Sequence, residues 1–397
     1  MRRWLVNTVL LIVLAALIYV IWQSLQWQRF MNRPMVTGTQ PLDFIIQPGT
    51  PLIALAWNLK RQQLINDPRR FIQLAKFYGA TKKIKAGEYQ IDPGMTPRIF
   101  LKQIIAGKMI LRSITFIEGW TFQQIMQTIN NNPYFTHTLN DLDKTAIMTL
   151  VGYPGVNPEG QFYPDTYLFT RGAPDRLILR KAYQNMQRKL NTAWQQRSAD
   201  LPYTNSYQAL IVASLIEKET ALPQERPMIA GVILRRLQKK MLLQIDAAII
   251  YGLGDAYIGS LRRGDLAIPT PYNLYLHQGL PPTPIAMPSI SAIEAALHPT
   301  ASDALYYVAK GDGGHIFSAS LAEHQQAAQR YWLIKQNNLV EKTLLLGNFS
   351  TANFCPLSDS TNGLLSRKGM QPLWQKCLRP SKLNFSASQV NAYANWP

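Results

Sequence analysis

The chain has 397 residues, with 41 Lys+Arg against 23 Asp+Glu and a formal charge of +18. Its 47% hydrophobic and 16% charged residues exclude an intrinsically disordered chain. Only one segment is long and apolar enough to span a bilayer, which excludes a polytopic membrane protein. Two cysteines exclude a disulfide scaffold or a four-thiolate zinc site, and the length predicts two or three domains.

Met1-Arg2-Arg3 is followed by the apolar stretch Trp4–Trp22, in which Asn7 and Thr8 are the strongly polar members. As a helix it is roughly 28 Å long, the thickness of a bilayer's hydrocarbon core. Trp4, Tyr19 and Trp22 lie near its ends, where aromatic rings favour the headgroup level. A cleaved signal peptide is the competing reading. It calls for a shorter apolar core and a small-residue cleavage site, whereas Gln23-Ser24-Leu25-Gln26-Trp27 follows here. A single membrane anchor is therefore expected, with Arg2 and Arg3 favouring a cytoplasmic N-terminus and the bulk of the chain in a bacterial periplasm. In that compartment Cys355 and Cys377 either pair or remain buried thiols. The positive charge then points to phospholipid headgroups and cell-wall carboxylates, and not to nucleic acid. General surface charge is the plainer explanation, since the basic residues are scattered.

After a juxtamembrane linker at 23–41, residues 42–112 read as a small α+β module. Leu42–Ile46 is strand-like and Gln47–Thr50 a turn. Leu52–Leu64 has helical spacing of its apolar residues. Asp67-Pro68 opens a second helix that runs to Tyr78, with proline in the first turn. Lys85–Ile91 resembles a strand, and Met95-Thr96-Pro97 starts a third helix that ends at Ala106-Gly107. A connecting segment at 113–170 carries a strand at Ser113–Ile117 and a helix near Phe122–Asn130. A mainly helical domain with a β-containing cap follows at 171–337, with helices at Asp175–Ser198, Tyr207–Thr220 and Pro223–Lys239. The last part, 338–397, is rich in Ser, Asn and Pro and reads as an appendage. The expected fold class is α+β, with a cytoplasmic tip and transmembrane helix at 1–22.

Gln208–Thr220 is the segment that carries chemistry. Residues 209–216 are apolar apart from Ser214, as expected of a helix buried on most sides, and Glu217 and Glu219 stand at its end. Two residues apart on a helix they point roughly 200° apart. One can meet a ligand while the other is paired or solvated. The negative end of the helix dipole and poor hydration both raise the pKa of a carboxyl there, which is what a general acid needs. A solvated helix end with i,i+4 pairs is the alternative. Downstream, Gln244–Gly252, Pro269–Asn273 and Gly279–Pro282 are dense in turns and in aromatic, amide and carboxylate groups, which suits a sugar cleft as well as a loop-rich cap. His137, His277, His298, His315 and His324 have no metal-ligand spacing. P-loop, Rossmann and G-x-S-x-G patterns are missing too, and Asp312-Gly313-Gly314-His315 reads as a hairpin turn.

Over about residues 1–335 the chain resembles the endolytic murein (lytic) transglycosylases, the YceG-like family. The resemblance is carried by Lys85-Ala-Gly-x-Tyr89, Glu159-Gly160-Gln161-Phe162-Tyr163-Pro164-Asp165-Thr166 and Ala213-Ser214-Leu215-Ile216-Glu217-Lys218-Glu219-Thr220. It continues through Leu243-Gln244-x-Asp246, Ile250-Tyr251-Gly252, Pro269-Thr270-x-Tyr272-Asn273-x-Tyr275, Gly279-Leu280-Pro281-Pro282 and Gly314-His315-x-Phe317. The resemblance implies that Glu219 is the catalytic acid and that 42–112 is a LysM-like module. It implies cleavage of the MurNAc-β-1,4-GlcNAc bond of nascent peptidoglycan strands to 1,6-anhydro ends, with no metal or cofactor. Glu159, Asp165, Gln244, Asp246, Tyr251, Tyr272 and Asn273 become candidates for lining the glycan cleft, each with a turn-supporting role as its alternative. The implied partners are glycan strands, inner-membrane lipid and peptidoglycan synthases. Thr283, Ile245 and Ala247 depart from the family's usual Gly, Thr and Pro. A non-catalytic glycan tether and a hydrolytic muramidase are the rival functions.

Overall fold

A computed structural model describes residues 2–333 and 335. The appendage at 338–397, with Cys355 and Cys377, lies outside the described residues. Helices and strands are mixed, and among the described residues the sheets are three two-stranded antiparallel pairs. The chain divides into two compact units. One comprises residues 1–117, 123–158 and 164–185. The other comprises 118–122, 159–163 and the chain from Met186 on.

In the first unit, α1 (Arg2–Asn32) is continuous past Trp22, so the beginning of the stretch expected as a linker is helical. Among the described residues one helix, Asn7–Asn32, is long and apolar enough to cross a membrane, and its apolar side chains from Val9 to Trp22 are exposed. Its last turns change character: Phe30 is buried, Trp27 and Met31 pack on the module's core, and Arg70 Nη1 donates to Gln26 O at 2.6 Å. β1 (Leu42–Ile46) pairs with β2 (Gly87–Ile91), Phe44 opposite Tyr89. Both rings are buried with Phe100, Leu55, Leu59 and Phe71 from the three helices α2 (Leu52–Arg61), α3 (Pro68–Phe77) and α4 (Pro97–Ala106).

The helix ends follow from the residues there. Asp67 caps α3 by accepting from the amides of Arg69 and Arg70, with Pro68 in the first turn. Thr96 caps α4, which ends on Gly107 in the left-handed region at φ 73°. Chain order continues with β3 (Arg112–Thr115), α5 (Phe122–Asn130), α6 (Lys144–Val151), β4 (Thr166–Phe169) and α7 (Asp175–Gln195); β3 pairs with β4.

The second unit is built around α8 (Ser206–Glu219). Every residue from Ala209 to Ile216 is buried, mostly against α9 (Arg226–Gln238), α10 (Asp246–Leu253) and α11 (Ile290–Leu297). Each large apolar side chain that this helix removes from water contributes about 1.5–3 kcal/mol to the unit's burial energy. Ser214 is tolerated inside because its hydroxyl donates to Ile211 O at 2.7 Å and accepts from Ile285 N at 3.0 Å. Asn205 caps the N-terminus of α8 through Gln208 N. The hairpin expected at 312–315 connects β5 (Tyr306–Ala309) to β6 (His315–Ser318). Residues 246–253, expected as part of a turn-dense stretch, form the helix α10.

Candidate active site

The two carboxylates at the end of α8 diverge, as their angular spacing requires. Glu217 is consumed by structure. Its Oε1 accepts from Arg226 Nη2 at 2.9 Å, and its Oε2 accepts from Ser289 N at 2.9 Å and Ser289 Oγ at 2.5 Å. Both side chains of this ion pair are only 6% exposed. The arginine is held in turn by the hydroxyls of Ser289 and Ser291. This bond set ties α8 to α9 and to the N-cap of α11, since Ser289 also accepts from Ala292 N.

Glu219 is different. It is partly exposed, and its Oε2 accepts one hydrogen bond, at 2.9 Å, from Tyr307 Oη on β5. Burial pushes its carboxyl up to about 7, and the negative charge of Asp246 works in the same direction. The Tyr307 hydrogen bond and the charge of His315 oppose the rise without cancelling it. Burial, and then the charge of Glu219, hold the Tyr307 phenol well above its ordinary value, so it remains a donor.

Two of these neighbours have their own supports. His315, on β6, is clamped by Glu225: its backbone N–H donates to Oε1 at 2.9 Å, and its Nδ1 lies 2.7 Å from Oε2. Burial works against ionisation of Glu225, but the hydrogen bonds from His315 outweigh it and hold the carboxyl below its usual range. Gly314 permits this close approach, because a Cβ there would stand 2.9 Å from Glu225 Oε1. Asp246 is exposed in the first turn of α10 and accepts from Tyr275 Oη at 2.6 Å.

The remaining cleft candidates have other duties. Gln244 adopts φ 53°, and its Oε1 accepts from Arg236 Nη1 at 3.1 Å. Asn273 is fully buried; its amide donates to Leu266 O and Ile268 O and its oxygen accepts from Tyr275 N, so it holds the turns. Glu159, 2% exposed, accepts from Phe122 N and from Tyr251 Oη, both at 3.0 Å. Burial and the Glu159 charge raise the Tyr251 pKa strongly. Its ring meets that of Tyr272 edge-on, with centroids 4.8 Å apart, and Tyr272 Oη lies 2.9 Å from Thr283 Oγ1. Thr283, one of the departures from the family pattern, therefore has a hydrogen-bonding use that a glycine would lack. Ile245, another, is buried at the N-cap of α10, where no side chain caps the helix. Asp165 belongs to the first unit, where its Oδ1 accepts from Thr166 N.

Sequence reasoning missed Tyr307, His315 and Glu225. The available signals were the apolar, aromatic-rich Tyr306–Ala309 run beside a Gly-rich turn and the motif Gly314-His315-x-Phe317.

What the site offers is one carboxyl that is reachable by solvent, poorly hydrated and poised to exchange a proton near neutrality. The neighbouring Glu217, bonded to Arg226 and Ser289, is left with the structural task of tying the helices together. A family model described as the YceG-like family matches residues 44–330, and the chain belongs to that family. A Bacillus subtilis protein named endolytic murein transglycosylase is 29% identical over 305 residues, covering 72% of this chain and 83% of the relative. A protein of the same name from Streptococcus pneumoniae serotype 2 is 29% identical over 310 residues, covering 70% of this chain; the match takes in 56% of that longer relative. A crystal structure of a putative yceG-like protein from Listeria monocytogenes, 27% identical, aligns with 73% of this chain and 99% of that one at a TM-score of 0.45.

Proposed function

We propose that the protein is a membrane-anchored endolytic lytic transglycosylase that cuts the MurNAc-β-1,4-GlcNAc bond within nascent peptidoglycan strands. In this reading protonated Glu219 gives its proton to the glycosidic oxygen as the C1–O bond breaks. The resulting carboxylate takes the proton of the muramic C6 hydroxyl, whose oxygen closes on C1. The products are a 1,6-anhydro end and a new free end, and Glu219 is protonated again. No water is consumed, so one carboxyl serves both half-steps, unlike the pair used by ordinary glycosidases. The observation that carries the reading is the contrast at the end of α8: Glu219 is pushed up to about 7 while Glu217 is bound to Arg226.

The names of the bacterial relatives support murein as the substrate class. α1 would anchor the chain in the inner membrane with its N-terminus in the cytoplasm, the LysM-like module at 42–112 would hold glycan, and 171–337 would carry the chemistry. Cutting would then be confined to strands near the bilayer, ending their elongation, in cooperation with peptidoglycan synthases. Asp246, Tyr251, Tyr272, Gln244, Glu159 and Asn273 would line or support the glycan site.

One observation favours a second reading. Asp246 is close enough to raise the pKa of Glu219, and it would be the second carboxylate of a hydrolysing muramidase. Digestion of sacculi by the full-length protein, followed by mass spectrometry, separates the possibilities. Anhydro-muropeptides are expected. Reducing muramic ends would instead establish hydrolysis, and binding without products would establish a tether.

A further inference from the structure

The β5–β6 hairpin is pinned at several points. Arg235 Nε donates to Ala304 O at 2.6 Å and Arg236 Nε to Leu305 O at 2.7 Å, both from α9. Leu305 N closes the open end of the hairpin on Ser318 O at 2.9 Å, and Glu225 holds His315 by backbone and ring. Tyr307 stands inside this frame, opposite Phe317 in the strand register, with its ring edge-on to His315 at 5.5 Å. A phenol held this firmly has its hydroxyl aimed before any substrate arrives, and its target is a single oxygen of Glu219.

We propose that Tyr307 is a positioning residue that acts through Glu219: by occupying Oε2 it fixes the carboxyl's orientation and leaves Oε1 as the oxygen that exchanges the proton with substrate. The proposal rests on the reading of Glu219 as the proton donor and adds to it. In the first half-step the Oε1–H bond breaks, an O–H bond forms on the leaving oxygen, and the C1–O electron pair goes to that oxygen. In the second, the C6 hydroxyl proton returns to Oε1 as O6 bonds to C1. The Tyr307 proton remains on the phenol throughout.

The same contact sets the pH range of the reaction. A donor to a carboxylate favours its ionised form. The groups facing Glu219 are Tyr307 from β5, Asp246 from α10 and His315 from β6; those facing Tyr307 are Glu219, Arg236 from α9 and Tyr275. Removing the hydroxyl leaves Glu219 with Asp246 as a like charge and with one donor fewer, so its pKa rises and activity survives to higher pH.

The test is a set of pH–rate profiles for the full-length chain in detergent acting on sacculi. Tyr307→Phe is expected to move the alkaline limb up by about one pH unit, the size of one charge-assisted hydrogen bond. It is also expected to lower kcat roughly tenfold, with KM within about twofold of the parent. Site-specific Tyr307→3-fluorotyrosine, whose phenol is a stronger donor, is expected to move the limb the other way; it decides the matter if the Phe variant fails to fold. A limb that stays in place in folded variants overturns the proposal. Glu219→Gln, run alongside, separates the two levels. If it is inactive and the limbs are unmoved, only the role of Tyr307 falls. If it is fully active, the reading of Glu219 falls and the proposal with it.

Discussion

Replacing Glu219 with Gln should make the protein more stable, and only at higher pH. The unfolded carboxyl ionises near 4.5, while the folded one is pushed up to about 7. The native state therefore binds more protons than the unfolded state between these values, and stability falls as pH rises through them. Below the unfolded value both states are protonated and nothing is lost; above the folded value the loss is complete. At 1.36 kcal/mol for each pKa unit, the interval from 4.5 to about 7 corresponds to ~3 kcal/mol. Glutamine has the same shape, and it still accepts from Tyr307 without carrying a charge. Urea unfolding of the full-length chain in detergent should show Glu219→Gln ~3 kcal/mol more stable than the parent at about pH 8 and equal to it at about pH 4. A variant no more stable at the higher pH, or equally stabilised at both, would refute the account of Glu219 as a carboxyl held against its preference for water.

Three further outcomes follow from the site's geometry. Arg226→Leu leaves the Glu217 carboxylate buried without its cation and should cost about 3–5 kcal/mol in the same unfolding assay. Asp246→Asn removes the like charge that raises Glu219, so the alkaline limb of the pH–rate profile should move to lower pH. Gly314→Ala sets a Cβ 2.9 Å from Glu225 Oε1, which should loosen the hairpin and cost about 1–3 kcal/mol in thermal or urea unfolding.

The parts of the site visible in the sequence were those governed by local periodicity. The apolar run 209–216 and the helical phase of Glu217 and Glu219 already required one carboxylate to turn away from the other. Burial at the helix end gave the direction of the shift for whichever carboxyl met the ligand, and the family resemblance chose Glu219. Asp67-Pro68 and Thr96-Pro97 marked helix starts because a cap and a fixed φ are read from neighbouring residues. What stayed hidden depends on contacts far apart in the chain. Tyr307 is 88 residues from Glu219, and His315 is 90 from Glu225. Asn273 looked like a sugar ligand because an amide on a turn suits either role. Only the structure reveals that all its hydrogen bonds are spent on Leu266, Ile268 and Tyr275. α10 escaped notice because eight residues beginning on uncapped Ile245 give too little periodicity to separate a short helix from a turn.

The central claim is that one proton on Glu219 drives the cleavage. The most direct measurement compares single-turnover cleavage of purified glycan strands by the parent and by Glu219→Gln, both verified as folded. A loss of at least about 100-fold, with anhydro ends from the parent alone, is the predicted result, the scale of a lost general acid. Cleavage by the glutamine variant within about tenfold of the parent rate would lie below that scale and contradict the account.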